Sequence, residues 1–233
     1  MHVILDHTEE VAQDIRTFWF KPERRVDYMA GQYIQMTLPH SKPDDRGEKH
    51  WFTLSSSPSE ALLSITTRHA IDRVSTFKQT LFGLRLGASI LMSEPMGDFV
   101  LPKDSAIPLL FVAGGIGVTP IRSMVKWLSD NGEKRQVQVL YGARRLADVA
   151  FRELFESYGA RLDIVLSEAG EWSGRTGLLT SGLILEQARA YDTPLVYVSG
   201  PEPMVEKLEA DMLKAGQDKS RLVLDFFPGY KGV

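Results

Sequence analysis

Residues 108–128 read PLLFVAGGIGVTPIRSMVKWL. Leu109 to Ala113 is an unbroken apolar run. A strand with one wet face would alternate, so the run predicts a strand buried on both faces. Gly114, Gly115 and Gly117 follow. They permit positive φ and let a ligand approach the backbone. Thr119 and Pro120 are expected to open a helix, Thr119 as N-cap and Pro120 at the first position. Ile121, Met124, Val125 and Leu128 fall on one face of that helix. Strand, glycine turn and helix N-terminus together form an anion site, and a dinucleotide pyrophosphate is the expected guest. A glycine-rich turn of any α/β protein reads the same way, so the rest of the chain has to decide.

The chain has 233 residues, enough for one large or two small domains. Its formal charge of −3 gives no reason to expect nucleic acid or an anionic membrane as partner. There is no cysteine, which excludes disulfides, a catalytic thiol and a thiolate-held iron–sulfur cluster in this chain. His2, His7, His40, His50 and His69 show no ligand spacing, so no metal is expected. The N-terminus MHVILDHTEEV is acidic and lacks the apolar core of a signal peptide. No apolar run reaches the ~20 residues that span a bilayer. A soluble cytoplasmic protein without membrane insertion is expected.

The two halves differ in rhythm. Segments 15–20, 31–38, 51–56, 62–67 and 88–93 are short, rich in β-branched and aromatic residues, and separated by turns. They predict a small closed antiparallel barrel with one helix from Ser75 to Gly83, capped by Ser75. The segment LPKDSAIP, 101–108, carries the boundary. Beyond it, strands at 109–113, 137–141, 162–166, 195–199 and 221–225 alternate with helices at 119–130, 148–157, 179–189 and 202–215. That alternation predicts a parallel sheet wrapped on both faces, with ligands at the carboxyl ends of its strands. The expected architecture is an N-terminal β-barrel domain, 1–103, followed by an α/β parallel-sheet domain, 104–233.

Five stretches carry a family resemblance: HWFTLSS at 50–56, VSTF at 74–77, EPMGDF at 94–99, GGIGVTP at 114–120 and VSGPEPM at 198–204. In this order, over almost the whole chain, they resemble the ferredoxin–NADP reductase superfamily in its compact flavin-barrel form. The resemblance implies FAD in the first domain and a nicotinamide dinucleotide in the second. It implies hydride transfer between NAD(P)H and FAD, then electron transfer to a separate acceptor such as ferredoxin, flavodoxin or an oxygenase.

His50, Trp51, Phe52 and Thr53 resemble the family's flavin signature. The resemblance places Phe52 against the flavin ring and Thr53 within reach of its N5 edge. His50 stands where the family usually has arginine for the flavin pyrophosphate. A histidine facing that dianion is expected to have a raised pKa. Thr66, Thr67 and Arg68, with Val74, Ser75 and Thr76, resemble the second flavin-binding segment. Ser75 and Thr76 are expected to offer N–H and hydroxyl groups to phosphate, or simply to cap a helix.

In the second domain the resemblance gives Gly114, Gly115, Gly117, Thr119 and Pro120 to the dinucleotide. Arg144 and Arg175 resemble a 2′-phosphate site, which favours NADPH with NADH possible; two solvated surface arginines would read alike. Ser199 replaces the family's usual cysteine beside the nicotinamide, and Gly200 and Pro201 turn into the last helix. In the tail LDFFPGYKGV, Phe227 is the first choice for a flavin contact and Tyr230 the second. Thr53, Ser199 and Phe227 are thus the expected residues at the reacting centre. The rival expectation is a non-catalytic nucleotide-sensing or electron-transfer subunit of a larger redox complex.

Overall fold

The structure is a computed structural model that describes residues 1–69, 74–168 and 170–227. The side chain of Phe227, and Tyr230 with the rest of 228–233, lie outside the described residues.

The first half is a sheet of β1 (His2–Ala12), β2 (Ile15–Pro22), β3 (Tyr33–Thr37), β4 (Lys49–Thr53), β5 (Leu63–Arg68) and β6 (Ser89–Met92). Its order is β4-β3-β6-β1-β2-β5 and all its described pairs are antiparallel. It curls as a barrel would, but no ladder joins its two edge strands, β4 and β5. They are tied just past β4, where the Ser55 amide donates to the Ser64 carbonyl at 2.8 Å. Helix α1 (Thr76–Phe82) buries Phe77 and Leu81 in the barrel core with Phe18, Phe20 and Phe52. Ser75 caps it as expected, accepting from the Lys78 amide.

Strand β1 was not among the expected strands. Its second half, Asp6 to Glu10, is exposed and carries no apolar alternation, so pairing with β2 alone holds it in the sheet. Strand β4 starts and stops earlier than the pattern suggests. Its ladder with β3 ends at Thr53, after which the Leu54 amide turns to the Gln32 carbonyl.

The second half is a parallel sheet of β7 (Leu109–Gly114), β8 (Val137–Ala143), β9 (Arg161–Leu166), β10 (Arg175–Thr176), β11 (Leu195–Pro201) and β12 (Leu222–Phe227), ordered β10-β9-β8-β7-β11-β12. Every residue of β7 is buried, as its unbroken apolar run requires. Helices α2 (Val118–Asp130) and α3 (Arg152–Tyr158) pack with each other, as do α4 (Ser181–Ala188) and α5 (Glu202–Lys214). The sheet separates two core clusters, one built with α2 and α3, the other with α4 and α5. Helix α3 starts later than 148 because Phe151 sits at φ +61°, a left-handed conformation that interrupts the helix.

The halves are joined through α2. Arg122 forms an ion pair with Glu60 and donates to the Ser55 carbonyl at 2.9 Å. Ser123 donates to the Ser56 carbonyl, and Ser59 to Asp130. Ser55 to Glu60 is the link between β4 and β5, so the clamp holds the open seam of the barrel against the glycine turn of the second sheet.

Candidate functional site

A cavity lies at that seam. Its barrel wall is formed by His50, Trp51, Phe52 and Thr53 of β4 and by Thr66 and Thr67 of β5. Lys78 of α1 closes one side, and Ile116 and Thr119 of the second half roof it. Strand alternation explains the wall. His50 and Phe52 point inward and are buried, while Lys49 and Trp51 point outward, Trp51 remaining 44% exposed and edge-on to Tyr33. Thr53 is buried and lines the same cavity as Ile116 and Thr119. The Thr66 hydroxyl is engaged by Thr17 and Ser55, both at 2.8 Å, so it stiffens the wall from behind.

His50 stacks on Phe77 with centroids 4.0 Å apart. Burial, followed by the positive charge of Lys78, pushes its pKa down to about 4. Without a facing dianion, His50 is a neutral aromatic wall residue at neutral pH. Two lysines line the cavity, Lys49 at the exposed start of β4 and the half-buried Lys78 of α1, and Lys78 was not among the expected site residues.

The start of α1 is already occupied. The Thr76 amide donates to Asp44 at 3.0 Å, and the Thr76 hydroxyl contacts the Asp44 amide and His40. Asp44 is an acid held down to about 2, first by its bond from Arg46. The Ser75 hydroxyl is spent on the cap. Val74 is half-buried just before it. Arg68 reaches away to Asp148 of the second half, 3.6 Å distant, and does not line the cavity.

The glycine turn differs from expectation in one respect. A 3-10 turn, Gly115–Gly117, runs directly into α2, so the N-cap is Gly117 and not Thr119. Pro120 is accordingly the third helical residue, still within the first turn where no intrahelical amide is required. Only Gly115 of the three has positive φ, +54°, and a Cβ there would meet nothing within 4 Å. Gly117 is required for another reason: a Cβ would overlap the Ser199 carbonyl. Gly114 and Gly200 likewise pack against each other, and Pro201 ends β11 at the start of α5.

Ser199 is fully buried, and its hydroxyl donates to Asp225 at 3.2 Å. Burial, with the nearby charge of Asp98, pushes the Asp225 pKa up to about 6. Asp225 was missed; an acid inside the apolar strand LVLDFF was the available signal. Phe227 ends β12 opposite Pro201, its side chain outside the described residues.

Arg144 and Arg175 have different partners. Arg144 is exposed at the carboxyl end of β8 and donates to Glu168 through two nitrogens at 2.7 and 3.0 Å. Arg175 lies on edge strand β10, 3.8 Å from Glu186. Glu168 was also missed. It stands two residues past β9, its amide bonded to the Arg144 carbonyl, on the rim where nucleotides bind such sheets.

Residues 111–210 match the family model of the oxidoreductase NAD-binding domain. The whole architecture is similar to solved structures. One is an Amycolatopsis cytochrome P450 reductase: TM-score 0.82, 22% identity, 97% of this chain and 70% of that one. Another is the flavohem-like FAD/NAD binding domain of nitric oxide dioxygenase from Vibrio cholerae: TM-score 0.82, 18% identity, 97% of this chain and 98% of that one. The shared fold is the two-domain arrangement of ferredoxin–NADP reductase-like FAD/NAD-binding proteins. In sequence this reductase-like chain is 30% identical over 220 residues to the glycine betaine monooxygenase reductase subunit of Chromohalobacter salexigens, covering 89% of this chain and 58% of that protein. It is 25% identical to the CDP-6-deoxy-L-threo-D-glycero-4-hexulose-3-dehydrase reductase of Yersinia pseudotuberculosis, covering 96% and 67%. The chain spans about three fifths of the length of the first of these relatives. Among the described residues no helix is long and apolar enough to cross a membrane.

Proposed function

We propose that this chain is a flavin-dependent NAD(P)H reductase that passes a hydride between a nicotinamide dinucleotide and FAD, and electrons onward to a separate acceptor. The first 103 residues take the flavin and residues 104–233 the nucleotide. The observation that carries this reading is the cavity at the β4–β5 seam. Its wall has the aromatic face of Phe52, the hydroxyl of Thr53 and the cation Lys78, and it opens under the glycine turn of the second sheet. Those groups fit a flat ring system bearing a phosphate.

When bound, the flavin supplies a two-electron acceptor that releases electrons singly or in pairs. The chain's own residues position and shield. Phe52 offers a face for the ring, Thr53 a hydrogen bond at its polar edge, and the Ile116–Thr119 roof excludes water. Ser199 and Asp225 stand behind the glycine turn, where the nicotinamide is expected. The aromatic tail, Phe227 first and Tyr230 second, is assigned to the flavin by the resemblance alone.

Arg144 supports a nucleotide site at the rim of β8, but its carboxylate partner Glu168 favours ribose hydroxyls over a 2′-phosphate. NADH is therefore placed before NADPH. The acceptor is of the class served by reductase subunits of oxygenase systems, a redox protein or oxygenase component such as ferredoxin or flavodoxin.

Purified protein reconstituted with FAD should bleach on anaerobic addition of NADH. A protein that takes up no flavin, or holds flavin that neither nucleotide reduces, defeats the proposal.

A further inference from the structure

The α1 side of the cavity holds an unbalanced positive charge. Arg46, Arg68 and Lys78 all bear on it, since both guanidiniums repel the Lys78 ammonium. Arg46 is paired with Asp44 at 2.6 Å, and Arg68 with Asp148 at 3.6 Å. Lys78 has no carboxylate within ion-pair distance among the described residues. Among the described residues its ammonium makes one hydrogen bond, to the Arg68 carbonyl at 3.2 Å, and an ammonium has three N–H groups to give.

This lysine is largely out of water, and burial followed by the two arginines holds its pKa below the ordinary lysine value. A partly buried cation beside other cations is costly until an anion joins it. Among the described residues the cavity wall offers no anion: His50 is neutral, and the hydroxyl of Thr66 is engaged in the barrel. At the start of α1 the Thr76 amide is already taken by Asp44.

We infer that Lys78 receives the phosphate of the flavin nucleotide, its ammonium entering from α1 against the cavity that His50 and Phe52 line; this rests on the flavin reading above. The chemistry recognised is a phosphoryl oxygen, whether it belongs to the pyrophosphate of FAD or the monoester of FMN. Riboflavin has the same ring and no phosphate, so it separates a phosphate contact from a ring contact.

The test is the dissociation constant of FAD, FMN and riboflavin for the wild type, Lys78→Met and Lys78→Arg, with thermal melting alongside. Lys78→Met should weaken FAD and FMN by about ten- to a hundredfold, the range of one charge-assisted bond, and leave riboflavin unchanged. Lys78→Arg should stay within about threefold of wild type, since it keeps the charge. In the wild type, FAD or FMN should protect the Lys78 amine from acetylation, read by peptide mass spectrometry, and riboflavin should not. That arm decides the matter if Lys78→Met does not fold. Equal weakening of all three ligands, unchanged affinity for all three, or acetylation indifferent to FAD overturns the inference while leaving a flavin protein. A wild type that binds none of the three overturns the flavin reading itself.

Discussion

Ser199 and Asp225 stand opposite each other in the register of β11 and β12, and the serine hydroxyl donates to the aspartate at 3.2 Å. Ser199 is buried and Asp225 half-buried, and Asp225 holds its proton up to a pH of about 6. In the unfolded chain an aspartate ionises near 3.9. Between those values the folded state binds more protons than the unfolded one, so stability falls as pH rises through the window. Above it the buried charge is a standing cost, on the order of 2–3 kcal/mol. Asp225→Asn should therefore raise the melting temperature at pH 7.5 more than at pH 4.5. An equal shift at both values would show that Asp225 ionises normally.

His50 works in the opposite direction. Its folded pKa of about 4 lies below the ~6.5 of the free side chain. Acidification protonates the unfolded chain first, so the contribution is full above pH ~6.5 and fades as pH falls toward 4. His50→Phe should abolish about 1–3 kcal/mol of acid destabilisation across that range, measured by urea unfolding at several pH values. Flavin affinity should not follow His50 titration between pH 6 and 8. A wild-type affinity that rises below pH 7 and levels in His50→Phe would contradict the neutral wall residue described above.

Arg122 and Glu60 form the ion pair that ties α2 to the β4–β5 link, and both are mostly buried. Arg122→Ala leaves Glu60 without its charge partner, and a cost of roughly 2–4 kcal/mol is expected. The double change Arg122→Met with Glu60→Gln should recover part of it, since neither charge then remains buried. Strict additivity of the two single changes in a mutant cycle would show that the pair is not coupled.

Glu168 should govern nucleotide choice. Glu168→Gln frees the Arg144 guanidinium and removes the carboxylate. The ratio of kcat/KM for NADPH over NADH should rise by about tenfold or more, the value of one charge-assisted contact. Arg144→Ala added to that variant should return the ratio toward wild type. If neither change moves the ratio, the nucleotide ribose lies elsewhere on the rim.

The local pattern in the sequence determined most of the elements. The run Leu109–Ala113 implied a strand with two dry faces, and the helix face of Ile121, Met124, Val125 and Leu128 is buried as its spacing required. Ser75 announced its helix because capping is a contact between residues three apart in the chain. Strand β1 was hidden because its polar half is held by β2 and not by burial. Thr119 lost its capping role because the turn before it continued as helical backbone, a choice set by how closely Gly117 packs on the Ser199 carbonyl. The site depended still more on tertiary structure. Asp225 meets Ser199 only through strand register, Glu168 meets Arg144 only across two strand ends, and Lys78 meets the cavity only because α1 folds under the open seam. Periodicity and capping act over a few residues, so the sequence shows them directly. The charge and solvation of a side chain depend on groups many residues away, so only the folded chain decides whether His50 is neutral, Asp225 protonated or Lys78 set beside the cavity.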